Sequence, residues 1–209
     1  MTNSWQELRA SNRELALLLL FVPAQKRDIC ADLILLGFEL DNAIHIPSEV
    51  MLAAIRLQWW RDALSSPADS KVPLVKRLQS HIAADHFVRE DVLAMLDEWQ
   101  DRLGDTDINP QHCWGRCWML MAGVIKGRDF VTADAAKATA AIGRNCMTLL
   151  KAPERRLDPV TLPETANLPR VFAIAAALIR HWCANPTTDQ DDPLLVWRMV
   201  GWWLGFTPR

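Results

Sequence analysis

PAQKRDICADLILLGFELDNAIHIPSEVMLAAIRLQWWRDAL, residues 23–64, is the stretch whose periodicity decides the fold. Two helical patterns meet at a short break, Ile46-Pro47. The first is expected from about Ala24 to His45. Pro47, with its fixed φ, suits the first position of the second, which is expected to run to about Ser65. At about 100° per residue, Arg27, Ile34, Phe38, Asp41 and His45 share one side of the first helix. Asp28, Asp32 and Glu39 fall on another side, which reads as a wet face. In the second helix Gln58, Arg61, Asp62 and Ser65 form the wet stripe. Glu49 and Arg56 lie opposite it, among Leu52, Ala53 and Trp60. An arginine on an apolar side needs a partner, because an unpaired buried charge is very costly. Asp41 is one candidate partner for Arg56, and Glu49, one heptad earlier, is another. The plain alternative is a structural ion pair with no chemistry attached.

Outward from this core, the chain reads as helix after helix. One is expected from near Ser4 to Val22, before Pro23. Residues 72–85 and 88–103 form two amphipathic helices. In the latter, Asp97 and Asp101 stand four apart and mimic a metal-binding pair. Yet Glu90, Asp97 and Asp101 share one side while Val92, Leu93, Leu96, Trp99 and Leu103 take the other, so the acids read as a solvated face. Asn109-Pro110 is a good helix start, followed by a mostly apolar helix with His112, Cys113 and Cys117. No second cluster with ligand spacing accompanies these three, so buried cysteines are the better reading. Residues 133–151 form an Ala-rich helix with a polar stripe of Asp134, Lys137, Arg144, Asn145, Thr148 and Lys151. Residues 152–167, with Pro153, Pro159 and Pro163, read as irregular. Pro169 opens a helix to about Ala184, and Asp192-Pro193 opens the last. No segment alternates like a strand, so the expected class is all-α.

Composition bounds the function. The 209 residues, half of them hydrophobic and 23% charged, suit one globular domain with a large core. A net charge of −2, with no basic cluster among aromatics, argues against nucleic acid as a partner. Five cysteines and a polar, mixed-charge N-terminus without a signal peptide predict reduced thiols and a cytoplasmic setting. No apolar run approaches the roughly 18 residues that span a bilayer. Ten tryptophans with no tyrosine point to bulky core filling, to a ligand tunnel, or to a membrane-facing surface.

Arg27, then Phe38-Glu39-Leu40-Asp41, then IRLQWWRDAL at residues 55–64 resemble the squalene/phytoene synthase family. These are all-α isoprenoid synthases that join two prenyl diphosphates head to head. The run at 55–64 resembles the bacterial and mitochondrial branch that includes a respiratory complex I assembly factor. The resemblance is strong over residues 13–64 and weaker over most of the remainder. It implies a single-domain helical bundle of the isoprenoid synthase type over residues 1–209, shortened at its C-terminal helices.

The family's reaction ionises an allylic diphosphate, and its enzymes gather magnesium around that leaving group with two DxxxD motifs on facing helices. Carboxylates at i and i+4 project from one helix side and share hard cations. The first window here reads Asp41-Asn42-Ala43-Ile44-His45, with imidazole, a poor magnesium ligand, in the second place. The second window, GRNCMTLLKAPERRL at 143–157, holds no such pair. Glu154 and Asp158 are four apart but follow Pro153. Asp41 is thus the one candidate metal ligand. Arg27, Asp41, His45, Arg56 and Arg144 are candidates to hold an anionic head group, such as a prenyl diphosphate or a lipid. The resemblance therefore implies a catalytically degenerate member that binds a prenyl lipid or anion, or assists respiratory-complex assembly with a protein partner. The Trp-rich helix at 196–206 is a candidate for peripheral membrane contact. The alternative is an active magnesium-dependent prenyltransferase of hopanoid or carotenoid biosynthesis.

Overall fold

The computed structural model describes residues 3–47, 49–66, 70–104, 113–127, 132–151, 162–165, 167–184 and 192–206. They are helical, with no strand among the described residues: α1 (Ser4–Ser11), α2 (Arg13–Leu18), a 3-10 turn (Leu19–Phe21), α3 (Ala24–His45), α4 (Val50–Ser65), α5 (Pro73–Ala83), α6 (Arg89–Gly104), α7 (Trp114–Lys126), α8 (Ala133–Lys151), α9 (Arg170–Ala184) and α10 (Leu195–Trp203).

α3 is the axis. It packs against α1, α4, α5, α6 and α7. Every residue from Ile29 through Gly37 is buried, which is the signature of a helix enclosed on all sides. Lys26 Nζ donates to the Ile125 carbonyl at 2.9 Å, so the start of α3 tethers the end of α7. From α7 the chain folds back through α8 and α9 to α10, each packed on its predecessor.

The long first helix expected before Pro23 is instead broken. Asn12 is extended (φ −151°, ψ 103°), its backbone N–H closes α1 on Leu8, and its Oδ1 caps α2 by accepting from Leu15 N–H. A single Asn thereby ends one helix and starts the next. α4 also starts later than expected. Glu49, not Pro47, is its extended N-terminal neighbour, and the first helical residue is Val50.

Two faces differ from the helical-wheel reading. Asp32 is not wet but fully buried, held by Arg77 and His81 of α5. Asp28 is half-buried and accepts from the Trp5 backbone N–H at 3.0 Å. In α4 the buried stripe is Ala53, Leu57, Trp60 and Leu64, while Leu52 and Arg56 face solvent. α6 follows its wheel: Val92, Leu96 and Trp99 are buried, whereas Glu90, Asp97 and Asp101 are exposed, with Asp97 paired to Arg61.

α7 packs against both α3 and α8 and meets each with an indole. Trp114 and Trp118 are both fully buried. A Cβ on Gly37 of α3 would collide with the Trp114 ring, and one on Gly143 of α8 would collide with Trp118. These two glycines let the helices approach flat aromatic faces, the close contact that favours glycine. Trp114 also meets Phe38 edge-on at 5.1 Å and Trp99 at 5.7 Å, geometries favoured by the ring quadrupoles.

Candidate functional site

The last turns of α3 carry Asp41 and His45 on one side, because four residues make slightly more than a turn. Asp41 is only 4% exposed, since α6 lays Arg102 over it. Arg102 Nη1 stands 4.0 Å from Asp41 Oδ1, and both Nη atoms stand 3.4 Å from His45 Nε2. His45 Nε2 is itself 3.7 Å from Asp41 Oδ1. A guanidinium has only donors, so His45 Nε2 accepts from it and the imidazole is neutral. Burial first, and then the Arg102 charge, push the His45 pKa down, in agreement with that tautomer. Burial likewise lowers that of Arg102.

Magnesium does not fit this donor set. It takes hard oxygen ligands in octahedral geometry. Asp41 offers one carboxylate, His45 a soft nitrogen, and Arg102 a fixed positive charge where a second cation would have to sit. Among the described residues no three His, Cys, Asp or Glu side chains group as metal ligands. Cys113 and Cys117 are buried, their thiols donating to the Glu98 and Leu33 carbonyls at 3.2 and 3.3 Å. Burial pushes the Cys113 thiol up to about 11. His112, the helix start at Asn109-Pro110, Glu154 and Asp158 lie outside the described residues.

The other predicted residues are not gathered at Asp41. Arg27 Nε donates to the Leu19 carbonyl at 3.1 Å and Nη2 to that of Leu20 at 3.3 Å, stapling the 3-10 turn to α3. It stands fourteen positions before Asp41 on the same helix, about 21 Å along the axis. Arg56 is exposed and lines a groove of about 420 Å³ between α3 and α4, with Glu39, Asn42, Ala43, Ile46, Trp59 and Trp60. Its expected carboxylate, Asp41, is covered by Arg102 instead. Arg144 is half-buried on α8, its Nη1 3.1 Å from where a Cβ on Gly115 would stand.

Two residues escaped the sequence reading. Arg102 is three positions after Trp99 and seven after Met95, on the buried side of α6, and that placement was the available signal. Glu98, four before it, is half-buried near Arg116 and Arg144. Burial pushes its carboxyl up to about 7, against the pull of those arginines. The chemistry on hand is therefore charge neutralisation: Asp41–His45–Arg102 is one closed cluster, and Glu98 with Arg116 and Arg144 is a second.

At the C-terminal end, Leu195 and Met199 bury against α9, with Trp202 beside His181 at 5.8 Å. Trp197, Trp203, Leu204 and Phe206 remain exposed. No helix among the described residues is long and apolar enough to cross a membrane. All five cysteines are free thiols.

The family model described as squalene/phytoene synthase matches residues 8–109, from α1 to just beyond α6. The all-helical architecture is consistent with the helical fold of that family. No curated protein and no solved structure matches the chain.

Proposed function

Residues 8–109 belong to the squalene/phytoene synthase family, and from that premise we propose that the chain is a non-catalytic member, a helical scaffold that works by binding. The observation that carries this reading is the packing of α7. Trp114 is packed on Gly37 of α3 and Trp118 on Gly143 of α8, the two helices on which the resemblance expects the acid motifs, and this supports a bundle interior filled by side chains. The Asp41–His45–Arg102 cluster supports it further, because Arg102 already supplies the positive charge that a metal would bring.

As a scaffold the chain presents binding surfaces at its periphery. The exposed Trp197, Trp203, Leu204 and Phe206 at α10 suit a protein or membrane-surface partner. Assembly of a respiratory complex is the role suggested by the branch that the sequence resembles.

Incubation of the purified chain with farnesyl or geranylgeranyl diphosphate and magnesium tests the proposal. Diphosphate release no faster than in buffer is expected. Release at an enzymatic rate, abolished in Asp41→Ala, would overturn it and restore the prenyltransferase reading.

A further inference from the structure

α4 turns an apolar face to solvent. Met51, Leu52, Ile55 and Trp59 are 45–66% exposed on one side of the helix. Asp62, held by Gln58 Nε2 at 2.7 Å, ends that face. The largest bare apolar patch on an ordinary monomer is about 300–600 Å² and is often functional. Four such side chains share one helix and adjoin the groove lined by Arg56 and Glu39.

The charges flanking this face are self-complementary. Glu49 and Arg56 are both exposed and seven positions apart. Seven residues are about 10.5 Å along a helix and return to within about 20° of the same azimuth. Glu49, the extended residue that opens α4, and Arg56 therefore border one flank of the face and are not paired with each other within the chain. Among the described residues neither makes an ion pair or side-chain hydrogen bond. Turning α4 end for end about residue 53 lays Leu52 beside Ile55 of a second copy. It also brings Glu49 within reach of the second copy's Arg56, and each contact is made twice. That reciprocity is what a two-fold interface requires. A lipid surface fits less well, since Glu39 and Glu49 outnumber Arg56 here and membrane-binding helices carry a basic surplus.

We propose that α4 is a self-association face: two copies pair their α4 helices antiparallel across a two-fold axis, with reciprocal Glu49–Arg56 ion pairs beside a seam of Leu52, Ile55 and Trp59. The second copy then roofs the groove between α3 and α4, and Trp59 leaves solvent.

Sedimentation velocity on the full chain, from low micromolar to hundred-micromolar concentration, reads this directly. A dimer that dissociates on dilution is expected. Ile55→Asp, a solvent-facing change that spares the core, gives a monomer whose thermal melt matches that of the parent at dilutions where the parent is itself monomeric. Glu49→Arg and Arg56→Glu each raise the dissociation constant about tenfold, and E49R/R56E together recover most of the loss. The proposal is overturned by a chain that stays monomeric throughout, or by a double variant no tighter than the single ones. It is also overturned by a monomer that floats with phosphatidylcholine/phosphatidylglycerol vesicles and loses this in Ile55→Asp, which would assign the face to lipid.

Discussion

Arg77 Nε donates to Asp32 Oδ1 across 2.8 Å, joining α5 to the middle of α3. His81 Nε2, one turn further on, stands 2.9 Å from the other oxygen, and Arg77 Nη2 reaches Glu7 on α1 at 2.9 Å. Three helices thus meet at one buried carboxylate. Removing one partner from a buried ion pair strands the other, at about 3–5 kcal/mol. Asp32→Ala is expected to lose that much in urea unfolding followed by circular dichroism, and Asp32→Asn, which keeps an acceptor, less. A loss below about 1 kcal/mol in Asp32→Ala would show the network to be dispensable.

The seat of Trp114 on Gly37 leaves no room for a methyl group. Gly37→Ala is expected to cost about 1–3 kcal/mol through overpacking. Adding Trp114→Phe to it should cost less than the two single changes summed, because the smaller ring accepts the new Cβ. Strict additivity of the two in a double-mutant cycle would mean that they do not touch.

Glu98 gives a pH signature. Its folded pKa, about 7, lies above its unfolded value, about 4.3. Stability from this group is fully present below the unfolded value and is lost as pH rises through the folded one. His45 and His181 have lowered values, so their contribution is full above about 6.5 and is lost as pH falls. Glu98→Gln should match the parent at pH 4 and exceed it at pH 8, read as urea midpoints. An equal shift at both pH values would contradict the assignment.

The two sides of α10 should respond differently. Met199 is fully buried and Trp197 is 72% exposed. Met199→Ala is expected to destabilise by about 2–5 kcal/mol, whereas Trp197→Ser stays within about 0.5 kcal/mol. Comparable losses at both positions in thermal unfolding would mean that α10 buries its outer side as well.

Much of the helix map was legible because its punctuation is local. α3 starts after Pro23 and α9 after Pro169, and the periodicity of α8 spans Ala133–Lys151 as expected. The break at Asn12 was hidden by the apolar run that follows it. The fate of Asp32 could not be read from a helical wheel, which gives a direction but no neighbour, and its partners lie 45 and 49 positions away. The same holds for the candidate site. Asp41 and His45 were visible as a pair on one turn, but Arg102, which covers them, comes from α6. Arg27 and Arg56 were grouped with Asp41 because they share helices or a family pattern, and the fold sends them elsewhere.

The indoles of Trp114 and Trp118 set the terms for any attempt to retrofit synthase chemistry. Aspartates written into α3 beside Gly37 or into α8 beside Gly143 would meet the Trp114 or Trp118 ring. Smaller side chains at 114 and 118 would open room beside both glycines. If the proposed non-catalytic reading holds, the incomplete acid pair at Asp41 and His45 and the indoles seated on Gly37 and Gly143 act in the same direction.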